Sequence, residues 1–90
     1  MDNDEVAKKF AEQVRRSLDV ERIKGSVFPE KCEVGASVLS HTSVDYTVKA
    51  RMDNMSIEAT IRKNHEHEDI METVDHLVVP WLISYSTASP

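Results

Sequence analysis

The sequence predicts a two-layer α+β domain with the order α-β-β-β-α: a three-stranded antiparallel meander with two helices packed on one face. Three observations lead there. Two segments between Ser43 and Lys63 alternate apolar and polar residues with a period of two, and the flanking segments repeat apolar residues every three or four positions. The chain has 90 residues, room for one domain (1–90) with a modest core. A domain of that size buries somewhat over ~60% of its unfolded surface.

The first helix is expected over about residues 4–18, running on toward Lys24 with Gly25 as its terminator. Asp2-Asn3-Asp4-Glu5 supplies a cap and acids ahead of Val6, Phe10, Val14 and Leu18, and Arg15-Arg16 follow in later turns. Acids first and cations last match the helix dipole. Ser26 to Glu30, which contains Phe28-Pro29, reads as a connecting loop.

Strands are expected at about 31–39, 43–52 and 55–63. In the first, Cys32, Val34, Ala36 and Val38 share one side; in the second, Val44, Tyr46, Val48, Ala50 and Met52 alternate with Asp45, Thr47, Lys49 and Arg51. Ser40-His41-Thr42 joins them, and parity calls for a loop of odd length, three or five residues, with a bulge. The third strand alternates Met55, Ile57, Ala59 and Ile61 with Ser56, Glu58, Thr60 and Arg62. A two-residue turn at Asp53-Asn54, where both residue types tolerate positive φ, sets Met52 against Met55. Ala50 then meets Ile57, Val48 meets Ala59 and Tyr46 meets Ile61. On the other face Lys49 meets Glu58, Thr47 meets Thr60 and Asp45 meets Arg62. Pairs of these kinds contribute roughly 0.2–1 kcal/mol each.

Asn64 is placed to cap a last helix over about 65–86, with Ile70, Val74, Leu77, Val78, Trp81 and Tyr85 on one side. Proline in a helix interior costs ~3 kcal/mol or more, so a kink or break is expected at Val79-Pro80, and a frayed tail over 87–90. Two helices of ~10 Å diameter cover one face of a sheet ~14 Å wide, and the other stays bare.

Composition narrows the function classes. Hydrophobic residues make up 40% and charged residues 30%, with net charge -5. Residues 1–63 hold 11 Lys+Arg and 11 Asp+Glu, whereas 64–90 hold five acids (Glu66, Glu68, Asp69, Glu72, Asp75) and no Lys or Arg. The imbalance lies wholly in the last segment, which governs what that segment attracts. The single Cys32, on the core side by strand parity, fits a reducing, cytoplasmic setting. No basic region followed by an apolar stretch opens the chain. The longest apolar run, Leu77 to Ile83, is far short of the ~20 residues of a membrane span, so no membrane association is expected.

Candidate chemistry is sparse. His65, Asp69, Glu72 and His76 stand at i, i+4, i+7 and i+11 on one stripe of the last helix, a spacing that converges on a divalent metal. That stripe also lies opposite Ile70, Val74 and Val78, where a solvated polar face belongs, and a single surface helix does not enclose an ion. His65-Glu66-His67-Glu68 is not the His-Glu-x-x-His arrangement of zinc proteases. His41 stands alone in a hairpin loop, Cys32 is expected to be buried and inert, and Gly25 and Gly35 make no phosphate loop. No cofactor and no enzymatic activity are expected.

The order α-β-β-β-α is shared with the double-stranded-RNA-binding domain, which grips phosphates with a basic start to its second helix. Here His65-Glu66-His67-Glu68-Asp69 stand at that place and phosphate would be repelled. Topological order alone carries no function, and no direct nucleic-acid binding is expected.

The surfaces expected to work are two. Glu68, Asp69, Glu72 and Asp75 form an acidic stripe suited to a protein partner with a basic surface. Trp81, Leu82, Ile83 and Tyr85 offer more apolar surface than one sheet face needs, which points to a second contact. The expectation is a small non-enzymatic interaction module, a subunit, adaptor or inhibitor. A homodimer joined through a sheet edge or the last helix is the alternative, and the metal or catalytic reading of the His/acid stripe is a third.

Overall fold

The computed structural model describes residues 2–25, 33–53 and 55–88, with Glu66 and 85–88 described by backbone alone. Helix α1 spans Asn3–Ile23. Its start follows from the sequence: the Asp2 carboxylate accepts a hydrogen bond from the Glu5 N–H at 2.9 Å, and Asp4 and Glu5 occupy the first turn. It reaches the longer of the two expected ends. Gly25, at φ +95°, then takes the left-handed conformation that ends helices, and its N–H bonds to the Arg22 carbonyl at 3.0 Å. Lys31, Cys32, the 26–30 loop and the second turn residue Asn54 lie outside the described residues.

The sheet has the order β1-β2-β3, with β1 Val34–His41, β2 Asp45–Met52 and β3 Met55–Arg62, all antiparallel. The β2–β3 ladder runs without interruption from Asp45↔Arg62 to Met52↔Met55, the expected register residue for residue. Asp53 sits at φ +53°, the conformation that a tight hairpin turn demands and that Asp tolerates.

The β1–β2 connection carries the expected bulge, and the structure places it inside β1. Val38 pairs with Val48 but Ser40 pairs with Thr47, so Leu39 is an extra residue bulged out of the ladder. With parity repaired inside the strand, the turn tightens. Thr42 and Asp45 bond through the Thr42 N–H at 2.8 Å, and the Thr42 hydroxyl accepts from the Val44 and Asp45 N–H groups at 3.2 and 3.0 Å. Thr42, Ser43 and Val44 lie between the strands, a connection of the expected three residues, with Ser43 and Val44 at its tip. Val44 is consequently 57% exposed rather than on the core face of β2.

After β3 a 3-10 turn, Lys63–His65, leads into α2, Glu66–Thr73, and a π turn, Val74–Val78, joins it to α3, Val79–Ala88. The Asn64 side chain does not cap α2, whose N-cap position is His65 with no side-chain bond. The expected interruption therefore falls one turn before Val79-Pro80, as a π turn and not a break. Its cause is steric. Proline offers no N–H and its ring crowds the carbonyl four residues back; in the π turn the Val79 N–H bonds five residues back to the Val74 carbonyl, a looser ladder in which Pro80 is accommodated. The helix then runs two residues beyond the expected 86.

Both helices cover the same sheet face. The core joins Val6, Phe10, Val14 and Leu18 of α1 to Tyr46, Val48, Ala50, Met52, Ala59 and Ile61 of the sheet and to Ile70, Val74, Val78 and Leu82 of the C-terminal helices. Arg15 Nη2 donates to the Val34 carbonyl at 3.0 Å and ties α1 to the first residue of β1. The opposite face, with Gly35, Ser37, Lys49, Arg51, Glu58, Thr60 and Arg62, is exposed or half-buried.

Candidate functional site

The acidic helix is built by its buried stripe. Ile70 and Val74 turn inward, which leaves Glu68 and Glu72 on the far side, both exposed. Asp75 is exposed as well, and Asp69 is not. Asp75 lines a cleft of about 320 Å³ between α1 and α3 with Arg16, Val20, Glu21, Lys24 and Val79, where Lys24 already pairs with Glu21 at 3.7 Å. Asp69 is half-buried, and its Oδ2 is shut from solvent with no hydrogen-bond partner among the described residues. Of the four acids, Glu68, Glu72 and Asp75 are exposed, with Asp75 on the side of the helix nearest α1.

The apolar end also divides. Leu82 is fully buried and belongs to the core, so it presents nothing to a partner. Trp81 is half-buried against that core, and the Tyr85 side chain lies outside the described residues. Ile83, 45% exposed, remains of the expected set, and among the described residues of these helices Met71 and Leu77, 41% and 48% exposed, join it. The burial of Leu82 comes from the π turn: one extra residue rotates everything after it, so Leu82 takes the inward place that an unbroken α-helix would give its neighbours.

The four metal candidates are not brought together. His65 lies in the 3-10 turn and lines a pocket at the end of the sheet with Val44, Asp45, Arg62 and Asn64, whereas Glu72 and His76 are exposed on the helix. Among the described residues, no group of three or more His, Cys, Asp or Glu could hold a metal ion. The i, i+4, i+7, i+11 spacing converges only along one uniform α-helix, and the 3-10 and π turns take its two ends off the line.

One constellation is not legible in the sequence. Lys63 Nζ sits 4.8 Å from the centre of the buried Tyr46 ring and 3.5 Å from His41 Nδ1, with the His41 and Tyr46 rings 6.2 Å apart. The His41↔Tyr46 pairing exists only because of the Leu39 bulge. A cation over an aromatic face contributes about 0.5–1 kcal/mol at a surface, so the cluster fastens the open end of the sheet where β1, β2 and the 3-10 turn meet. Among the described residues, no helix is long and apolar enough to cross a membrane.

No protein-family model, curated protein or solved structure matches the chain.

Proposed function

We propose that this protein is a small, non-enzymatic interaction module of the cytoplasm that presents the acidic side of α2 to a basic surface on a protein partner, as a subunit, adaptor or inhibitor. The observation that carries the reading is the exposure of Glu68 and Glu72 on a helix whose segment, residues 64–90, has five acids and no Lys or Arg. The field outside α2 is therefore not cancelled from within its own segment, and complementary charge sets encounter rate and partner choice more than it sets raw affinity. Asp75 shares its cleft with Arg16, Glu21 and Lys24, so Glu68 and Glu72, which stand clear of it, are the pair to test.

The test is capture from lysate of the native host on the immobilised chain, compared with a Glu68→Lys/Glu72→Lys variant. The reading expects a basic partner that is retained at ~0.1 M salt and released at ~1 M, where the screening length falls from ~10 to ~3 Å, and that the variant does not hold. A partner held equally by both proteins at both salt concentrations sinks the electrostatic reading.

A further inference from the structure

Among the described residues, both outer strands of the sheet have a free edge, and the two edges are not alike. β1 carries the bulge at Leu39, which interrupts the row of backbone groups, as protected edges do. β3 runs from Met55 to Arg62 in unbroken register, with neither proline nor glycine.

The phase of the ladder shows which groups β3 leaves unused. The Lys63 N–H bonds to the Val44 carbonyl at 2.8 Å, and successive residues of a strand direct their backbone groups to opposite edges. The odd-numbered residues of β3 therefore serve β2, while Ser56, Glu58, Thr60 and Arg62 turn theirs to the free edge. The same four carry exposed side chains on the bare sheet face.

We propose that β3 pairs antiparallel with β3 of a second copy about a two-fold axis at Thr60, making one continuous six-stranded sheet across the dimer. The charges select this register. Centred on Thr60, Glu58 of each copy faces Arg62 of the other, twice per dimer, with threonine against threonine between them. Centring on Glu58 sets carboxylate against carboxylate, and centring on Arg62 sets guanidinium against guanidinium. Centring on Ala59 or Ile61 matches neither charge with its opposite. The inner face accepts the same register, since Ala59 falls beside Ile61 of the second copy. Isologous contacts of this kind close after two subunits. The pairing is independent of the acidic helix, because neither Glu68 nor Glu72 takes part.

Sedimentation velocity of the whole chain from ~10 to ~500 μM tests it, because self-association is concentration-linked. The expected mass rises from 10.2 kDa toward twice that value. Glu58→Arg alone and Arg62→Glu alone should each raise the dissociation constant by about tenfold, as two charge pairs become repulsive, and the double variant should return to within about threefold of the parent. Within each copy the double variant still sets like charges together, the new guanidinium against Lys49 and the new carboxylate against Asp45, so its recovery reports on the contact between copies. Thr60→Pro removes an N–H that β2 does not use, and should leave a folded monomer by circular dichroism. A monomer at every concentration overturns the proposal, as does a dimer indifferent to Thr60→Pro or one that the charge swap fails to restore.

Discussion

Leu77 and Leu82 allow the same chemical change to be made on opposite sides of the π turn. In an unbroken α-helix, at ~100° per residue, position 82 lies about 120° from Ile70 and position 77 within about 20° of it. One extra residue in the turn takes out roughly 100°, and Leu82 swings inward. Leu82 is 0% exposed and Leu77 is 48% exposed. Leu82→Ala should therefore cost about 3 kcal/mol, the lower-middle of the range for a buried leucine that leaves a cavity. In a domain of this size that lowers Tm by about 12–24 °C. Leu77→Ala leaves no cavity and loses only part of a transfer free energy, under ~1 kcal/mol. Urea unfolding followed by Trp81, the single tryptophan, measures both, with equal m values as the check that the unfolded state is unchanged. A Leu77→Ala variant as destabilised as Leu82→Ala would refute the rotated phase and restore the unbroken helix.

Three further outcomes can be measured by the same unfolding assay. Pro80→Ala should change stability by less than ~1 kcal/mol, because the π turn already accommodates the ring; a gain near ~3 kcal/mol would mean the proline strains a helix that wants to be regular. Asp53→Val should cost about 1–2 kcal/mol, since a β-branched residue fits φ +53° poorly, whereas Asp53→Gly should fold with the parent's register as read from amide exchange. Arg15→Met keeps the aliphatic stem and loses the 3.0 Å bond to the Val34 carbonyl, a loss of about 1–2 kcal/mol, with Val34 and Gly35 the amides whose exchange rises most.

The parts of the fold that obey one period throughout were readable from the residues. The β2–β3 hairpin is the clearest case: alternation decides the face, the Asp53 turn decides the offset, and together they leave one register. Where an extra residue enters, reading by period fails. Leu39 shifts the β1–β2 pairing and moves Val44 to a turn tip, and the π turn moves Leu82 into the core. Parity calls for the bulge and Pro80 for an irregularity in the helix, but no residue type marks the place of either, because both are positioned by how the residues beyond them pack. The end of α1 shows a different limit: Val20 is 48% exposed while Glu21 is only 5% exposed, so apolar character there does not mark the inner face. The candidate site suffered accordingly. Glu68 and Glu72 stand in the regular part of the helix and are exposed, whereas Leu82 stands past the irregular turn and is buried.

The π turn also couples chain length to a single residue identity. His76 and Leu77 within it are exposed, and losing either would let Val74–Val78 close to α geometry while both halves of the helix kept their seats on the core. That shortened helix would press the Pro80 ring against a carbonyl it now avoids. A deletion here is consequently tolerable only together with replacement of Pro80, whereas that replacement alone changes little: the order of the two changes matters, with the proline lost first and the extra residue second.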